Sequence, residues 1–130
     1  MSAHPIIDGP SVDSPDASLY HHRWLVVDEA ARFVGVAQAP TLPDLGLSLA
    51  HGCLVLKAPG MLRLDVVLDV IEDDASVRMQ AQFDDQSLDV IDEGDLVAAW
   101  FSNYLGTPCR LVKVHPDQAP PDRAPLGHAS

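Results

Sequence analysis

DEGDLVAAWFSNYLGTPCRLVKV, residues 92–114, joins a helical pattern to a strand pattern within one short stretch. Its apolar residues recur at the three- and four-residue spacing of a helix stripe; they are Leu96, Val97, Trp100, Phe101, Tyr104 and Leu105. The spacing predicts a helix over residues 95–105, with Trp100 and Tyr104 packed onto the rest of the domain. A last strand is predicted over residues 110–114, where apolar and basic residues follow the helix.

Both ends of this helix carry recognisable signals. Asp92 or Asp95 can cap the first turn, where an acidic group is also favoured by the helix dipole. Gly106 supplies the left-handed residue that commonly ends a helix, and Pro108 prevents its continuation. The helix boundaries are therefore predicted independently of the apolar stripe.

Upstream of the helix, the sequence has the period of strands. Residues 62–70 alternate strictly between an apolar series and a mixed series, which predicts a strand with one buried face. Other short β-branched or apolar runs are separated by turn residues; they are residues 5–7, 24–27, 32–36, 46–49, 53–56, 77–83 and 88–91. Two of the turns, at residues 50–52 and 57–61, are predicted to place Gly52 and Gly60 at a positive φ. We therefore predict a mainly β fold, a small β-barrel of about seven to nine short strands with one α-helix near the C-terminus.

Three segments are predicted along the chain. Residues 1–18 form a partly ordered N-terminal segment with a short first strand, and residues 19–115 form the barrel domain. Residues 116–130 are rich in proline and predict a disordered tail, because so few apolar residues cannot offset the entropy of folding.

Composition and charge exclude several classes of partner. The chain has 130 residues, of which 47% are hydrophobic, and its net charge is −11. Nucleic acid and anionic membranes would repel such a chain, since its basic residues are scattered. We expect the protein in the cytoplasm, because no secretory signal or membrane-spanning run is visible. We also expect it to be a monomer.

Several stretches together resemble one known family. Four stretches are similar to the conserved patterns of the MOSC N-terminal β-barrel domain. They are His22–Asp28 (HRWLVVD), Gln38–Leu42 (QAPTL), Lys57–Gly60 (KAPG) and residues 92–112. The resemblance covers about residues 5–115 and is closest at the helical end. It implies a β-barrel with one packed helix, as part of proteins that handle the molybdenum cofactor.

The resemblance also implies where a cofactor would bind. In the family, basic residues of this domain contact the phosphate of molybdopterin while a following MOSC domain supplies the metal-ligating cysteine. The matching positions here are His22, Arg23 and Gln38, which are the candidate cofactor-binding residues. Three basic positions of the family pattern are changed, to Ile7, His22 and Ala37. We therefore expect no cofactor to be bound by this chain alone, and molybdopterin only together with a partner domain of the MOSC type.

No catalytic or metal-binding pattern accompanies these residues. There is no Ser/His/Asp order, no phosphate loop and no zinc spacing. His21 and His22 are expected to be a solvated pair on a strand edge, where adjacent side chains point to opposite faces and cannot chelate one ion. Cys53 and Cys109 are expected to be reduced thiols in apolar surroundings.

The first functional hypothesis is therefore a non-enzymatic binding or interaction domain. An accessory component of molybdenum-cofactor enzymes, acting in trans with a MOSC domain, is the alternative. A carrier that holds a small ligand in the barrel mouth remains open as a third possibility.

Overall fold

The computed structural model describes residues 2–13, 17–68, 78–83 and 86–115 of the chain. The predicted fold class is confirmed: the domain is mainly β, with one α-helix near its C-terminus. In chain order its elements are β1 Ser2–Ala3, β2 Val12–Asp13, β3 Trp24–Val27, β4 Phe33–Val34, β5 Gly46–Ala50, β6 Cys53–Lys57, β7 Leu64–Val67, β8 Arg78–Phe83, β9 Gln86–Asp92, α1 Asp95–Leu105 and β10 Arg110–Val114. Short 3-10 turns lie at Ala17–Tyr20 and Leu42–Asp44.

A curled five-stranded sheet is the centre of the fold. Its strands follow the order β4-β3-β10-β9-β8, and all neighbouring pairs are antiparallel. The two edge strands approach each other, since Arg32 forms a bridge with Gln82 and the Gln82 N–H donates to the Ala31 carbonyl at 2.8 Å. Strand twist and this contact bring the sheet edges together, as a barrel requires.

Two smaller sheets lie beside the curled sheet. Strands β5, β6 and β7 form an antiparallel meander, and β1 pairs with β2. The hairpin turn between β5 and β6 has positive φ angles at His51 (54°) and Gly52 (74°), as tight hairpins prefer. Pro59 and Gly60 occupy the centre of the next turn, where Gly60 has φ 75° and Met61 donates to the Ala58 carbonyl. Both turns are confirmed.

Alternation along the central strands separates two apolar cores. Leu25 and Val27 of β3 face the interior of the curled sheet, together with residues of β8, β9 and β10. Trp24 and Val26 face the opposite side, where they pack with α1 and the meander. Because successive strand residues point to opposite faces, one strand buried on both sides supplies both cores.

The helix packs as predicted except at Leu96. Val97, Ala98, Trp100 and Phe101 are its buried residues, but Leu96 is 78% exposed. Around the helix axis, Leu96 lies about a quarter turn from Val97, on the side away from Phe101. Its side chain therefore lies outside the buried face of the helix. The first residue of the alternating 62–70 pattern, Leu62, is likewise 87% exposed, because the strand begins only at Leu64.

The helix start also differs from the prediction. Gly94 is the N-cap residue, and no side chain caps the helix. Asp92 accepts instead from the Gly94 N–H at 3.0 Å, and Asp95 forms an ion pair with Arg110 at 2.6 Å. The C-terminal signal is confirmed, since Gly106 has φ 74° and its N–H donates to the Ser102 carbonyl.

The N-terminal strand predicted over residues 5–7 is reduced to a single parallel bridge between Ile6 and Trp24. Main-chain bonds nevertheless hold this segment against β3: Trp24 N–H donates to the Pro5 carbonyl, and Ile7 N–H donates to the Trp24 carbonyl, both at 2.9 Å. Ile6 and Ile7 are fully buried, one in each core. The predicted tail over residues 116–130 lies outside the described residues, and so do residues 69–77, which include the end of the strand predicted over 62–70.

Asp28 holds the turn between β3 and β4, and it provides a test by pH. Its Oδ1 accepts from the N–H groups of Ala30 at 2.8 Å and Arg32 at 3.0 Å. The Arg32 N–H is the main cause that lowers the pKa of Asp28. A carboxyl with a depressed pKa stabilises the fold above its unfolded pKa, and this stabilisation is lost as pH falls through the folded value.

We therefore expect Asp28→Ala to lower the free energy of unfolding at pH 7 by about 1 kcal/mol. Urea denaturation at pH 7 and again near pH 2.5 measures the effect, and the difference from the unmodified protein should shrink at the lower pH. Glu29→Ala removes an exposed carboxylate from the same turn and serves as the control for the loss of one charge.

Candidate functional site

His21 and His22 lie in a turn before β3, not on a strand as predicted. The backbone of His22 is left-handed, with φ 56°, which breaks the alternation of side chains. The two imidazole rings consequently stack, with centroids 3.8 Å apart. His22 is also 4% exposed, so it is buried, whereas His21 is exposed. The expected solvated strand pair is thus wrong in both placement and burial.

His4 connects this turn to the N-terminal segment. The His22 N–H donates to the His4 carbonyl at 2.8 Å, and the His4 N–H donates to Nδ1 of His21 at 3.0 Å. A ring nitrogen of His4 lies 2.9 Å from the carbonyl oxygen of Gly9. The segment from His4 to Gly9 is therefore anchored beside the candidate residue His22.

Arg23 is directed toward the end of β10. Its Nη1 donates to the Val114 carbonyl at 3.4 Å, while the Val114 N–H donates to the Arg23 carbonyl at 2.7 Å. The guanidinium is partly buried and contacts main chain there. This candidate residue thus lies next to His115, the last residue that the structure describes.

Gln38 lies in the turn after β4. Its Oε1 accepts from the Gly35 N–H at 3.1 Å, which closes a local turn. The neighbouring Val36 N–H donates to the Asp8 carboxylate at 2.9 Å. The Gly35–Gln38 turn and the turn at His22 therefore both contact the segment from His4 to Gly9. We name these three pieces of chain, with Arg23, the histidine corner.

Asp8 was not singled out in the sequence, although it is central to this corner. It is 4% exposed and has φ 66°. A Cβ atom on Gly35 would lie 2.5 Å from its Oδ2 and 2.9 Å from Cε2 of Phe33, so the close approach requires glycine. In the sequence, Asp8 followed by Gly9 indicates a turn. Nothing in the neighbouring residues indicates that the Asp8 carboxylate is buried.

A second polar cluster lies between the two larger sheets. Lys113 of β10 is 4% exposed, and its Nζ lies 5.2 Å from the centre of the Trp24 ring. Nζ also donates to the main-chain carbonyls of Leu68 and, at 3.5 Å, Val67. The Trp24 Nε1 donates to Oε2 of Glu93 at 2.6 Å.

Lys113 and Glu93 line a cleft of about 280 Å³ between β7, the end of β9 and α1. Its walls include Asp65, Val67, Asp92, Glu93 and Val97, with Lys113 at the base. Period-two alternation in β10 could have indicated Lys113, because it places this lysine on the same buried face as Leu111. A charged residue on such a face needs a polar partner, and only the packing of the sheets shows which one.

Glu93 provides a second test by pH. Burial is the largest cause that raises its pKa, against the lowering effects of the Trp24 indole N–H and the Lys113 charge. A carboxyl with a raised folded pKa binds more protons in the folded state. Its contribution to stability therefore falls as pH rises from the unfolded pKa through the folded one.

We expect Glu93→Gln to become more stable relative to the unmodified protein as pH rises from 4 to 7, since the amide oxygen can still accept from Trp24. Thermal or urea unfolding at several pH values measures this trend. Glu29→Gln, at an exposed carboxylate, is the matched control. A flat difference for Glu93→Gln across this range would contradict the expectation.

Within residues 2–13, 17–68, 78–83 and 86–115, no three His, Cys, Asp or Glu side chains gather into a group that could hold a metal ion. No helix in this part of the chain is long and apolar enough to cross a membrane. Both Cys53 and Cys109 are free thiols, and burial raises the pKa of the Cys109 thiol.

The curled sheet, the packed helix and the anchored N-terminal corner define a small β-barrel domain with one accompanying helix. The chain belongs to the family of the MOSC N-terminal beta barrel domain, whose sequence profile matches residues 16–108. The resemblance seen in the sequence is thereby confirmed.

Two relatives with known roles are molybdenum cofactor sulfurases. The chain is 30% identical to the sulfurase of Danio rerio over 106 residues, and 28% identical to that of Homo sapiens over 97 residues. These matches cover 79% and 73% of this chain but only 13% and 11% of the two sulfurases. The chain thus spans a small part of the curated relatives it matches.

A solved structure is similar over nearly the whole chain. It is the solution structure of a protein coded by a gene locus of Bordetella bronchiseptica, with 49% sequence identity and a TM-score of 0.78. The match covers 91% of each chain. The arrangement of strands and helix described above therefore recurs in a protein of comparable length.

Proposed function

We propose that this chain is a non-enzymatic binding domain that works with a protein partner and holds no molybdopterin by itself. The observation that carries the proposal is the buried Asp8 carboxylate in the histidine corner. An anionic phosphate gains most from permanent cations with several N–H donors. A buried carboxylate at the same corner opposes that charge instead.

The neighbouring replacements support the same proposal. Ile7, at a position where the family pattern has lysine, is fully buried in the core of the curled sheet. His22, which replaces an arginine of the pattern, is buried with its main chain bound to His4. Arg23 is the remaining permanent cation among the three candidate residues, and its guanidinium contacts the Val114 carbonyl. These residues do not fit a phosphate group.

Inorganic phosphate is the direct probe of this proposal. In ¹⁵N-edited NMR spectra at pH 7.5, we expect no saturable shifts at the amides of His22, Arg23 and Gln38 as phosphate is added. An Asp8→Ser variant, which removes the opposing charge, should show the larger response. Saturable phosphate binding to the unmodified protein at these three residues would sink the proposal.

Protein binding is tested separately, with a purified MOSC domain lacking cofactor. Isothermal titration should show heat of association in the absence of molybdopterin, because the proposal places the affinity in protein contacts. If calorimetry and size-exclusion chromatography both show no association with or without the cofactor, a MOSC domain is not the partner and that part of the proposal fails.

The accessory role in trans is a second candidate, and one observation favours it. The reciprocal main-chain and side-chain bonds between Arg23 and Val114 place the end of β10 beside the histidine corner. A MOSC domain docked at this end would contact the corner directly and would supply cations in addition to Arg23. Its signature is association that strengthens when the MOSC domain carries molybdopterin, whereas equal affinity with and without cofactor counts against it.

A further inference from the structure

On the outer edge of β7, some main-chain N–H groups have no hydrogen-bond partner among the residues that the structure describes. The Leu68 N–H donates to the Gly52 carbonyl at 3.0 Å, which makes Leu68 and Gly52 a hydrogen-bonded pair of the β6–β7 ladder. With Leu54 opposite Val66 and Cys53 opposite Val67, the bonded pairs alternate along the strand. The N–H and C=O groups of Asp65 and Val67 therefore point away from β6.

Lys113 satisfies part of this edge but leaves its donors open. Its Nζ approaches the Val67 carbonyl, which confirms that this carbonyl points away from β6. In the described part of the chain, the main-chain N–H groups of Asp65 and Val67 make no hydrogen bond. An edge with a row of open donors is a template for another strand.

The open edge borders the cleft at the base of which Lys113 lies. Asp65 and Val67 form one wall, and the opposite side includes Glu93 and Val97. Val67 is 49% exposed, and the Asp65 side chain is 44% exposed. A cleft of about 280 Å³ beside these groups leaves room for a short extended main chain.

We propose that the β7 edge accepts an extended segment of a partner protein, which adds as a strand through the N–H groups of Asp65 and Val67. This inference rests on the proposed function, since it names the surface and the kind of segment that the binding domain takes. Alternate side chains of the added strand face Val97 and the apolar lining of the cleft. The remaining side chains face solvent beside Asp65 and Asp92.

Charge determines which segment fits. The chain carries a net charge of −11, so a second copy would bring equal charge to the same edge and be repelled. The Asp65 and Asp92 carboxylates are each paired with an arginine, Arg63 and Arg110, so the attraction comes from the net charge of the chain and not from free carboxylates at the cleft. A segment that alternates apolar and basic residues complements that net charge and the apolar wall. The occupant is therefore a cationic β-strand of another protein.

A short synthetic peptide of alternating valine and lysine, with blocked ends, is the probe. Titrated into the ¹⁵N-labelled full chain, it should shift the amides of Asp65 and Val67 and slow their exchange with solvent. The amides of Leu64 and Val66, which already face β6, should show little change in exchange. This period of two distinguishes strand addition from general electrostatic attraction.

Two comparisons control the measurement. The same peptide with a central proline should lose most of its affinity, because proline has no N–H and disrupts strand pairing. Val67→Lys should weaken the binding of the original peptide about fivefold or more, by placing a like charge on the edge. Leu19→Lys alters another exposed apolar side chain, 69% accessible in the 3-10 turn, and should leave the affinity within about twofold of the unmodified protein.

Three results would overturn the inference: no shift at Asp65 and Val67, equal effects from the proline peptide, or equal weakening by Val67→Lys and Leu19→Lys. Concentration-dependent shifts of these amides in the protein alone would assign the edge to self-association and overturn it as well. Association with a MOSC domain in calorimetry is measured independently. A failed peptide titration with intact MOSC binding rejects the β7 edge and leaves the proposed function standing.

Discussion

Replacing Trp24 with alanine should lower the free energy of unfolding by about 3–5 kcal/mol, the largest effect that we expect from a single substitution. Trp24 is fully buried in the core between the curled sheet, the helix and the meander. Its removal leaves a cavity and also takes the indole donor from Glu93 and the aromatic surface from Lys113. Glu93 and Lys113 then each lose one of their partners while they remain poorly solvated.

Urea denaturation followed by far-ultraviolet circular dichroism measures this loss. Domains of this size have total stabilities of about 5–15 kcal/mol, so Trp24→Ala can unfold much of the population. Trp24→Phe keeps one aromatic ring but removes the indole N–H and part of the ring system, and its expected loss is smaller, about 1–3 kcal/mol. Equal stabilities for Trp24→Phe and the unmodified protein would contradict the role assigned to the bond with Glu93.

Phe101→Ala is expected to have the second largest effect, again about 3–5 kcal/mol. Phe101 is fully buried at the centre of the helix face and packs edge-on against Trp100. The side chain joins α1 to the sheets, so the helix would lose much of the tertiary packing on which a helix of 11 residues depends.

Leu96→Ala is the matched control, on the same helix and also apolar. Because Leu96 is 78% exposed, its truncation should change the free energy of unfolding by less than about 0.5 kcal/mol. The sequence pattern places Leu96 and Phe101 on the same apolar face of the helix, whereas the structure buries only Phe101. Urea titrations of the two variants distinguish between these two arrangements. Comparable losses for both variants would show that the helix is rotated relative to its described position.

The helix and the hairpins were predictable because their signals are local. A 3.6-residue period, Gly106 and Pro108 define α1 without reference to distant residues. The turns at His51–Gly52 and Pro59–Gly60 depend on conformations that few residues adopt. The start of the helix was harder to predict, because the carboxylates of Asp92 and Asp95 can each accept hydrogen bonds from several different N–H groups. Arg110, distant in sequence, takes part in the outcome through ion pairs with both.

The candidate site was only partly accessible to the same reasoning. Family patterns indicated His22, Arg23 and Gln38, yet the strand rule applied to His21 and His22 failed. A strand places neighbouring side chains on opposite faces, but the left-handed backbone at His22 does not. Asp8 was missed because its burial results from the Gly35–Val36 turn, which lies more than twenty residues along the chain.

The sequence by itself determined the class of fold, the single helix and the family to which the domain belongs. These properties depend on residue spacing and on turn chemistry, which act over a few residues. Only the tertiary structure decided which polar groups are buried and which edge is open. Burial of Asp8, Lys113 and Glu93 depends on surfaces contributed by separate strands. The β7 N–H groups that have no partner in the described part of the chain depend on the ladder register and on how the two sheets meet, which no local pattern encodes.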